Sequence, residues 1–308
     1  MRLVTAKDLY LLCVITVIRI ANFRSPGIVR IVFAKLLAFA AYHSLQRKRR
    51  RTEEKLASVY EGLGKTRGKA IVKSASYQFW LESLSMPYSS FSIGCIQLDI
   101  RGLEFLQTAL QRGGGAILWE SSYFGRRNLA KHILSHHGFA VVQVHAHDHL
   151  GGFGPAGPHE SWTTEHIIQP FFDRCERSFL GDIIYLTDTD SFAALRIMLE
   201  RLKNNAILCL SADGTRGYKF VSVSLFGRKC FFPTGAVSLA KISGAPMLPI
   251  FCYAESDGTI RLEILPPLRV RLDGEREREL ETTVLEYTNL LRSYVKSYPE
   301  QYRNWHYL

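Results

Sequence analysis

The pattern of apolar and polar positions alternates between two periods along most of the chain. Short apolar runs, typical of buried strands, are separated by longer segments in which apolar residues recur every three or four positions, as in helices that bury one face. The predicted strands are residues 116–119, 140–144, 182–186, 206–210, 247–253 and 260–265. The predicted helices between and after them are residues 127–137, 160–177, 191–204, 234–243 and 275–297.

This alternation is typical of an α/β fold, in which a mostly parallel, mixed sheet is flanked by helices. The last two strands are separated by Asp257 and Gly258, so we expect an antiparallel hairpin at the edge of the sheet. Residues 53–84 also have helical spacing, and Pro87 with the serines around it predicts a connection over residues 85–94. Residues 53–308 are therefore predicted to form one α/β domain.

The first 52 residues have a different character. Residues 9–23 and 27–42 are apolar, but Arg19 interrupts the first run and Arg30 and Lys35 interrupt the second. Neither run has the roughly 18 uninterrupted apolar residues of a clear membrane span, and no small-residue cleavage site follows the first one. Most apolar residues of the second run fall on one side of a helix, which predicts helices that lie in a membrane interface.

A basic run, Gln46-Arg-Lys-Arg-Arg-Arg51, follows these apolar segments. Near an anionic membrane each basic residue contributes about 1 kcal/mol of attraction. A solvated helix end or a nucleic-acid patch is the alternative, but the neighbouring apolar helices favour anionic membrane lipid, and we expect no nucleic acid. The formal net charge of +11 agrees with an anionic partner. Six scattered cysteines without a Cys-x-x-Cys pair indicate a reduced, cytosol-facing protein.

Polar side chains begin abruptly where the strand 116–119 ends. Gly113 to Gly115 precede this strand and supply a turn, because glycine adopts positive φ without steric cost. The polar residues that follow the strand are Glu120, Ser121, Ser122, Tyr123, Arg126, Arg127 and Asn128. In an open α/β sheet, ligands bind beyond the carboxyl ends of the strands, where the N–H groups of a helix start favour anions. We therefore expect the main site here.

A second polar turn follows the strand 206–210, and hence lies at the same edge of the sheet. Asp213-Gly-Thr-Arg216-Gly217 can hold an anion through Arg216 and through backbone N–H groups. A type I turn with a solvated Arg216 is the alternative.

His145-Ala-His147-Asp148-His149 contains residue types that ligate zinc. The run is one residue shorter than the His-x-His-x-Asp-His spacing of metallo-hydrolases, and Gly151 and Gly152 follow it. We therefore expect a polar loop and no metal, with a metal-dependent hydrolase as a lesser alternative.

Several segments together resemble the lipid A late acyltransferases, relatives of the glycerolipid acyltransferases. Gly115-Ala-Ile-Leu118 and Tyr123-Phe-Gly-Arg-Arg-Asn-Leu-Ala130 are similar to the family block in which a His lies five positions before an Asp or Glu. Leu225 to Pro246 and Pro299 to His306 resemble later family blocks, so the resemblance runs from about Leu56 to His306. In this register Tyr123 stands in place of the His, and Asn128 in place of the acid.

The resemblance implies an acyltransferase at the cytoplasmic face of the inner membrane, with no cofactor. In the family, a His deprotonates an acceptor hydroxyl, which attacks an acyl thioester of acyl carrier protein or coenzyme A. By resemblance Asp213 and Arg216 belong to the site, and Arg174 precedes the strand 182–186 as a family Arg does. Arg126, Arg127 and Arg174 are predicted to bind phosphates of the acceptor or carrier, with solvated surface arginines as the alternative.

The changed pair requires another route to catalysis, because a Tyr with a pKa near 10 is a poor base at neutral pH. Burial would raise the pKa of Glu120, so we predict Glu120 as base or orienter, with Ser122, Tyr123 and Asn128 positioning the substrates. An amine acceptor needs less base assistance than a hydroxyl, so N-acyl or aminoacyl transfer is a second route. The third interpretation is an inactive homologue that binds lipid or acts as a scaffold.

Overall fold

The structure is a computed structural model that describes residues 3–22, 27–85, 96–146, 161–186, 191–214, 217–270 and 276–308. Its first described helices are α1 (Ala6–Asn22), α2 (Gly27–Ser44), α3 (Gln46–Val59) and α4 (Lys65–Leu84). Strands and helices then alternate: β1 (Leu98–Arg101), α5 (Leu103–Gln111), β2 (Ala116–Glu120), α6 (Arg127–His136), β3 (Val141–Ala146), a π-helical turn (Thr164–Ile168) continued by α7 (Gln169–Arg177), β4 (Asp182–Leu186), α8 (Ser191–Lys203) and β5 (Ile207–Ser211). The later elements are the hairpin β6 (Phe220–Leu225) and β7 (Arg228–Pro233), α9 (Gly235–Ser243), β8 (Met247–Ala254), β9 (Ile260–Ile264), α10 (Arg276–Ser297) and two 3-10 turns (Pro299–Gln301 and Trp305–Tyr307).

Seven of the described strands form one mixed sheet in the order β1-β9-β8-β2-β5-β3-β4. Among these pairs β8 and β9 are antiparallel and the others are parallel. All five residues of β2, at the centre, are buried, as expected for a strand covered on both faces. Two apolar clusters, one including Ile117 and Trp119 and the other Ala116 and Leu118, use alternate residues of β2. The predicted α/β class, with a mostly parallel sheet between helices, is confirmed.

The prediction that the last hairpin lies at the sheet edge is wrong. β1 pairs in parallel with β9, so that β9 has a neighbour on both sides. The four residues of β1 were too short a run to be recognised from periodicity. The two-stranded hairpin β6–β7 was also not predicted as strands, although Val221, Val223 and Leu225 alternate with exposed residues in the pattern of a half-buried strand.

The N-terminal helices pack on the α/β part of the chain through an apolar cluster. Leu11, Ile15 and Ile18 of α1 and Ala34 and Ala38 of α2 are buried in it, and the partners are residues of α4 and α7. Asp8 fixes the start of α1, because its buried carboxylate accepts a hydrogen bond from the Thr164 hydroxyl at 2.5 Å. The boundary between residues 1–52 and 53–308 stays a prediction.

Of the described helices, α2 is long and apolar enough to cross a membrane, with a mean hydropathy of 1.3. Only 17% of this helix is buried in the structure. Length and composition alone are weak evidence for a span, because core helices and signal sequences satisfy the same criterion.

Candidate functional site

The two polar turns predicted from the sequence meet at the carboxyl ends of β2 and β5, which pair in parallel up to Glu120 and Ser211. The Ala212 N–H donates to the Glu120 carbonyl at 2.7 Å and continues the ladder by one bond. The Asp213 carboxylate therefore reaches the β2–α6 connection. It accepts a very short hydrogen bond from the Ser121 hydroxyl, and another from the Ser122 N–H at 2.5 Å.

The Ser121 hydroxyl organises the turn that carries Tyr123. Its oxygen accepts the N–H groups of Tyr123 at 3.2 Å and of Phe124 at 3.1 Å, while its proton goes to Asp213. Gly125 then adopts a φ of +67°, and a Cβ at this position would overlap with the Cys252 carbonyl. Glycine is therefore required where the chain turns from β2 into α6.

Burial raises the pKa of Asp213, against the effect of the hydrogen bonds from Ser121 and Ser122. Burial and the neighbouring Asp213 charge also raise the pKa of Tyr123. At neutral pH Tyr123 is thus a neutral phenol that can donate a hydrogen bond but cannot accept a proton as a base. Asp213 is a better proton acceptor than an ordinary aspartate.

The pKa expectation for Glu120 is wrong. Burial alone would raise the pKa of Glu120, but the charges of Lys131 and Arg127 outweigh burial and lower it. The Lys131 ammonium donates to Glu120 Oε1 at 2.7 Å, and Arg127 Nε lies 3.6 Å from the same oxygen. Sequence reasoning did not consider Lys131, because only the fold shows that α6 brings its ammonium to the end of β2.

Next to this ion pair, His145 at the end of β3 meets Glu176 of α7 with 2.9 Å between Nε2 and Oε2. Burial, with the positive charges of Arg127 and Lys131, lowers the pKa of His145 well below its usual value. Within the described residues no group of three or more His, Cys, Asp and Glu side chains could hold a metal ion. His147, Asp148 and His149 lie outside the described residues.

The N-terminus of α6, which we expected to receive an anionic ligand, already faces a protein carboxylate. Glu82 of α4 is buried, and its Oε1 accepts the Asn128 N–H at 2.8 Å. The Arg126 guanidinium donates to Gln78 Oε1 at 2.6 Å, also on α4. Helix α4 therefore closes one side of the site, which the sequence did not indicate.

Residues 301–303 close another side. The Gly125 N–H donates to the Gln301 carbonyl at 3.0 Å, and Phe124 and Tyr302 form an antiparallel bridge. Arg303 contributes two donors, its N–H to the Tyr123 carbonyl and its Nη2 to the Ser122 carbonyl, each at 2.8 Å. Sequence reasoning noted the resemblance of this segment to a family block but assigned no role to Arg303.

The structure thus brings most of the predicted site residues together around one connection. These are Glu120, Ser122, Tyr123, Arg126, Arg127, Asn128 and Asp213. Arg174 is exposed on α7, whereas its neighbours Cys175 and Glu176 are buried. Arg216 lies outside the described residues. A cleft of about 370 Å³ lies at the opposite ends of the strands from this site. Ala140, Asp182 and Asn205 are among its lining residues, and none of the predicted site residues lines it.

Residues 174–307 match the sequence profile of the family described as Bacterial lipid A biosynthesis acyltransferase. Over this part, the chain is similar to this lipid A-like acyltransferase family. It is 30% identical over 183 residues to a phosphatidylinositol mannoside acyltransferase of Mycobacterium tuberculosis. These residues cover 59% of the chain and 52% of the relative. It is 28% identical over 186 residues to the protein of that name from Mycolicibacterium smegmatis, with 60% and 55% covered.

The family resemblance inferred from the sequence is confirmed by these matches. The relatives are acyltransferases that act on lipids, and the chain spans about half the length of the curated relatives it matches. The profile match begins at Arg174, so the β2–α6 connection with Tyr123 and Asn128 lies outside it. The roles of the site residues remain predictions.

Proposed function

We propose that this protein transfers an acyl group from an acyl carrier protein or coenzyme A thioester to a lipid acceptor at the cytoplasmic face of the inner membrane. The observation that carries the proposal is the placement of Asp213, Ser122 and Tyr123 at the joined ends of β2 and β5, in a chain that is similar to this family. The relatives' names suggest a glycosylated phospholipid as the class of acceptor.

In the proposed reaction, an acceptor hydroxyl attacks the thioester carbonyl carbon, so that a C–O bond forms and the C–S bond breaks. Asp213 accepts the hydroxyl proton, and the leaving thiolate is finally protonated to a thiol. Tyr123 donates a hydrogen bond to the thioester oxygen as negative charge develops there. The raised pKa values of Asp213 and Tyr123 support this division of roles, because one group accepts a proton and the other donates a hydrogen bond.

Glu120 fits the role of orienter better than that of base. Its ion pair with Lys131 keeps it ionised with a lowered pKa, which weakens it as a proton acceptor but fixes α6 against β2. Arg127 is part of the same cluster, and we propose that it contributes positive charge to the site. Asn128 and Arg126 position the start of α6, and Arg174 and Arg216 are proposed to meet phosphate groups of the carrier or acceptor.

Membrane association is supported by an apolar face on α2. Ile28, Val32, Leu36 and Phe39 recur every three or four residues and are all exposed. The exposed cations of α3 come directly after this face in the chain. An apolar stripe beside clustered cations is the pattern of a helix that lies on an anionic membrane surface.

The test is acyl transfer by the purified chain from labelled acyl thioesters to extracted membrane lipids, with product detection by mass spectrometry. We expect Asp213→Asn to lower the rate by about 10²- to 10⁴-fold, the usual contribution of a general base. Asp257→Asn is the matched control, because Asp257 is exposed in the turn before β9 and should leave the rate unchanged. Full activity of Asp213→Asn would remove Asp213 from the mechanism. Mild alkali distinguishes an ester product from the amide that an amine acceptor would give.

A second candidate is a lipid-binding or scaffolding protein without turnover. The observations that favour it are that Glu120 is engaged by Lys131 and that Glu82 already occupies the start of α6. In that case lipid would bind with measurable affinity, but no acyl transfer would occur with any thioester. Lipid profiles of cells with and without the gene would then be the same.

A further inference from the structure

The hairpin β6–β7 has one face on the core and one face in solvent. Val221, Val223 and Leu225 are buried, whereas Phe231 is 58% exposed and Phe220 37% exposed. In the observed register Ser222 is opposite Phe231 and Ser224 is opposite Lys229, so these residues share the outer face with Phe220. Aromatic side chains exposed together on a rigid face mark an interaction surface.

The charge of the hairpin has a single sign. Residues 217–235 contain Lys219, Arg228 and Lys229 and no aspartate or glutamate. The Lys229 ammonium lies 5.6 Å from the centre of the Phe231 ring. Phenylalanine side chains are typical of an apolar face that enters the boundary between lipid headgroups and acyl chains, and neighbouring cations are attracted to anionic lipid. The chemistry of this outer face therefore fits an anionic membrane surface.

The turn of the hairpin is fixed beside the basic helix. Phe226 and Gly227 have φ values of +50° and +77°, and the Phe226 ring packs 5.3 Å from the buried ring of Trp305. The Phe226 carbonyl accepts a hydrogen bond at 2.7 Å from Lys55 of α3. The exposed face of the hairpin is thus anchored to the helix whose other cations follow the apolar face of α2.

We propose that the outer face of β6–β7, with Phe220, Phe231 and Lys229, is a second membrane-contact element that binds anionic phospholipid. The inference rests on the proposed membrane association and adds a contact remote in sequence from α1 and α2.

The experiment measures binding of the purified full chain to vesicles by flotation. Vesicles of phosphatidylcholine are compared with vesicles of equal parts phosphatidylcholine and phosphatidylglycerol. We expect Phe231→Ser to weaken binding about fivefold on both, and Phe231→Trp to retain it. Lys229→Gln should weaken binding about fivefold on the anionic vesicles only. Ile242→Ser and Lys203→Gln are matched controls, exposed at the helix ends that precede β8 and β5, and should bind like the unmodified chain.

Equal binding by Phe231→Ser and the unmodified chain would overturn the proposal while leaving membrane association by α2 and α3 intact. A loss in Lys229→Gln without any loss in Phe231→Ser would also overturn it, since it would show attraction of the charge to anionic lipid without contact by the aromatic face. If the unmodified chain bound neither vesicle, the proposed membrane association itself would fail. Circular dichroism and thermal unfolding of each variant establish that it is folded.

Discussion

The buried pair of Glu120 and Lys131 gives the most direct test of how the site is built. Their side chains are 4% and 3% exposed, so removal of one charge leaves the other in a poorly solvated place. Loss of one partner from such a pair costs about 3 to 5 kcal/mol. For Lys131→Met we expect the lower end, about 3 kcal/mol, because Arg127 remains 3.6 Å from the Glu120 carboxylate.

The assay is urea unfolding of the unmodified chain, Lys131→Met, Glu120→Gln and the double variant. This cycle isolates the coupling between the two side chains, which we expect to be about 2 kcal/mol. Lys131 is the first of the charges that lower the pKa of Glu120, so in Lys131→Met we expect burial to raise this pKa. The variant should then gain stability as pH falls and Glu120 becomes protonated. In the unmodified chain the pKa of Glu120 is lowered, and its contribution is lost as pH falls through that value. The difference in the free energy of unfolding between the unmodified chain and Lys131→Met should therefore become smaller at acidic pH.

A loss of less than about 1 kcal/mol for Lys131→Met would refute this reasoning, because that is the cost of breaking a solvent-exposed pair. A difference in stability that stayed constant from neutral to acidic pH would refute the assignment of the effect to Glu120.

Four other substitutions test the surroundings of the site, each by thermal or urea unfolding. Gly125→Ala should lower the free energy of unfolding by more than about 2 kcal/mol, because the added Cβ meets the Cys252 carbonyl. Gly113→Ala, at a similar φ in open space, should lower it by only about 1 kcal/mol. Trp305→Ala should cost about 3 to 5 kcal/mol, since the ring is fully buried. Arg303→Met should lower the free energy of unfolding by about 1 to 2 kcal/mol and slow the proposed acyl transfer, because it leaves the Ser122 carbonyl without the Arg303 donor. Arg292→Met removes an exposed donor to Ser224 and should lower it by less than about 0.5 kcal/mol. Asp8→Ala should cost about 1 to 2 kcal/mol and speed proteolysis near α1. Burial alone would raise the pKa of Asp8, but hydrogen bonds from Thr164 and Thr5 lower it, so its contribution should disappear as pH falls through the lowered value.

The order and type of the main elements could be predicted because their periodicity is strong. The predicted strand 182–186 and the predicted helix 191–204 agree with β4 and α8 within one residue. β1 could not be predicted, since four residues carry too little pattern and the strand exists because β9 offers it an edge. The alternation in β6 was present in the sequence but was not interpreted, and β7 was assigned only to a family motif.

The site could be predicted only in part. Parallel strand ends bring Asp213 to Ser121 and Ser122, which topology alone suggests. The direction of the pKa shift of Glu120 could not be predicted, because it depends on which face of α6 carries Lys131. The roles of Glu82 and Arg303 depend on contacts across long sequence separations, for which a local pattern gives no signal.

The bond from Arg303 to the Ser122 carbonyl joins residues 181 positions apart. During synthesis, the turn that carries Tyr123 leaves the ribosome long before the segment that completes its hydrogen bonds. A shortened translation product that ended after β9 would still contain β2, β5 and Asp213 but would lack Gln301, Tyr302 and Arg303. Such a fragment would have an incomplete site, so the proposed acyl transfer would be restricted to chains whose synthesis had passed this point.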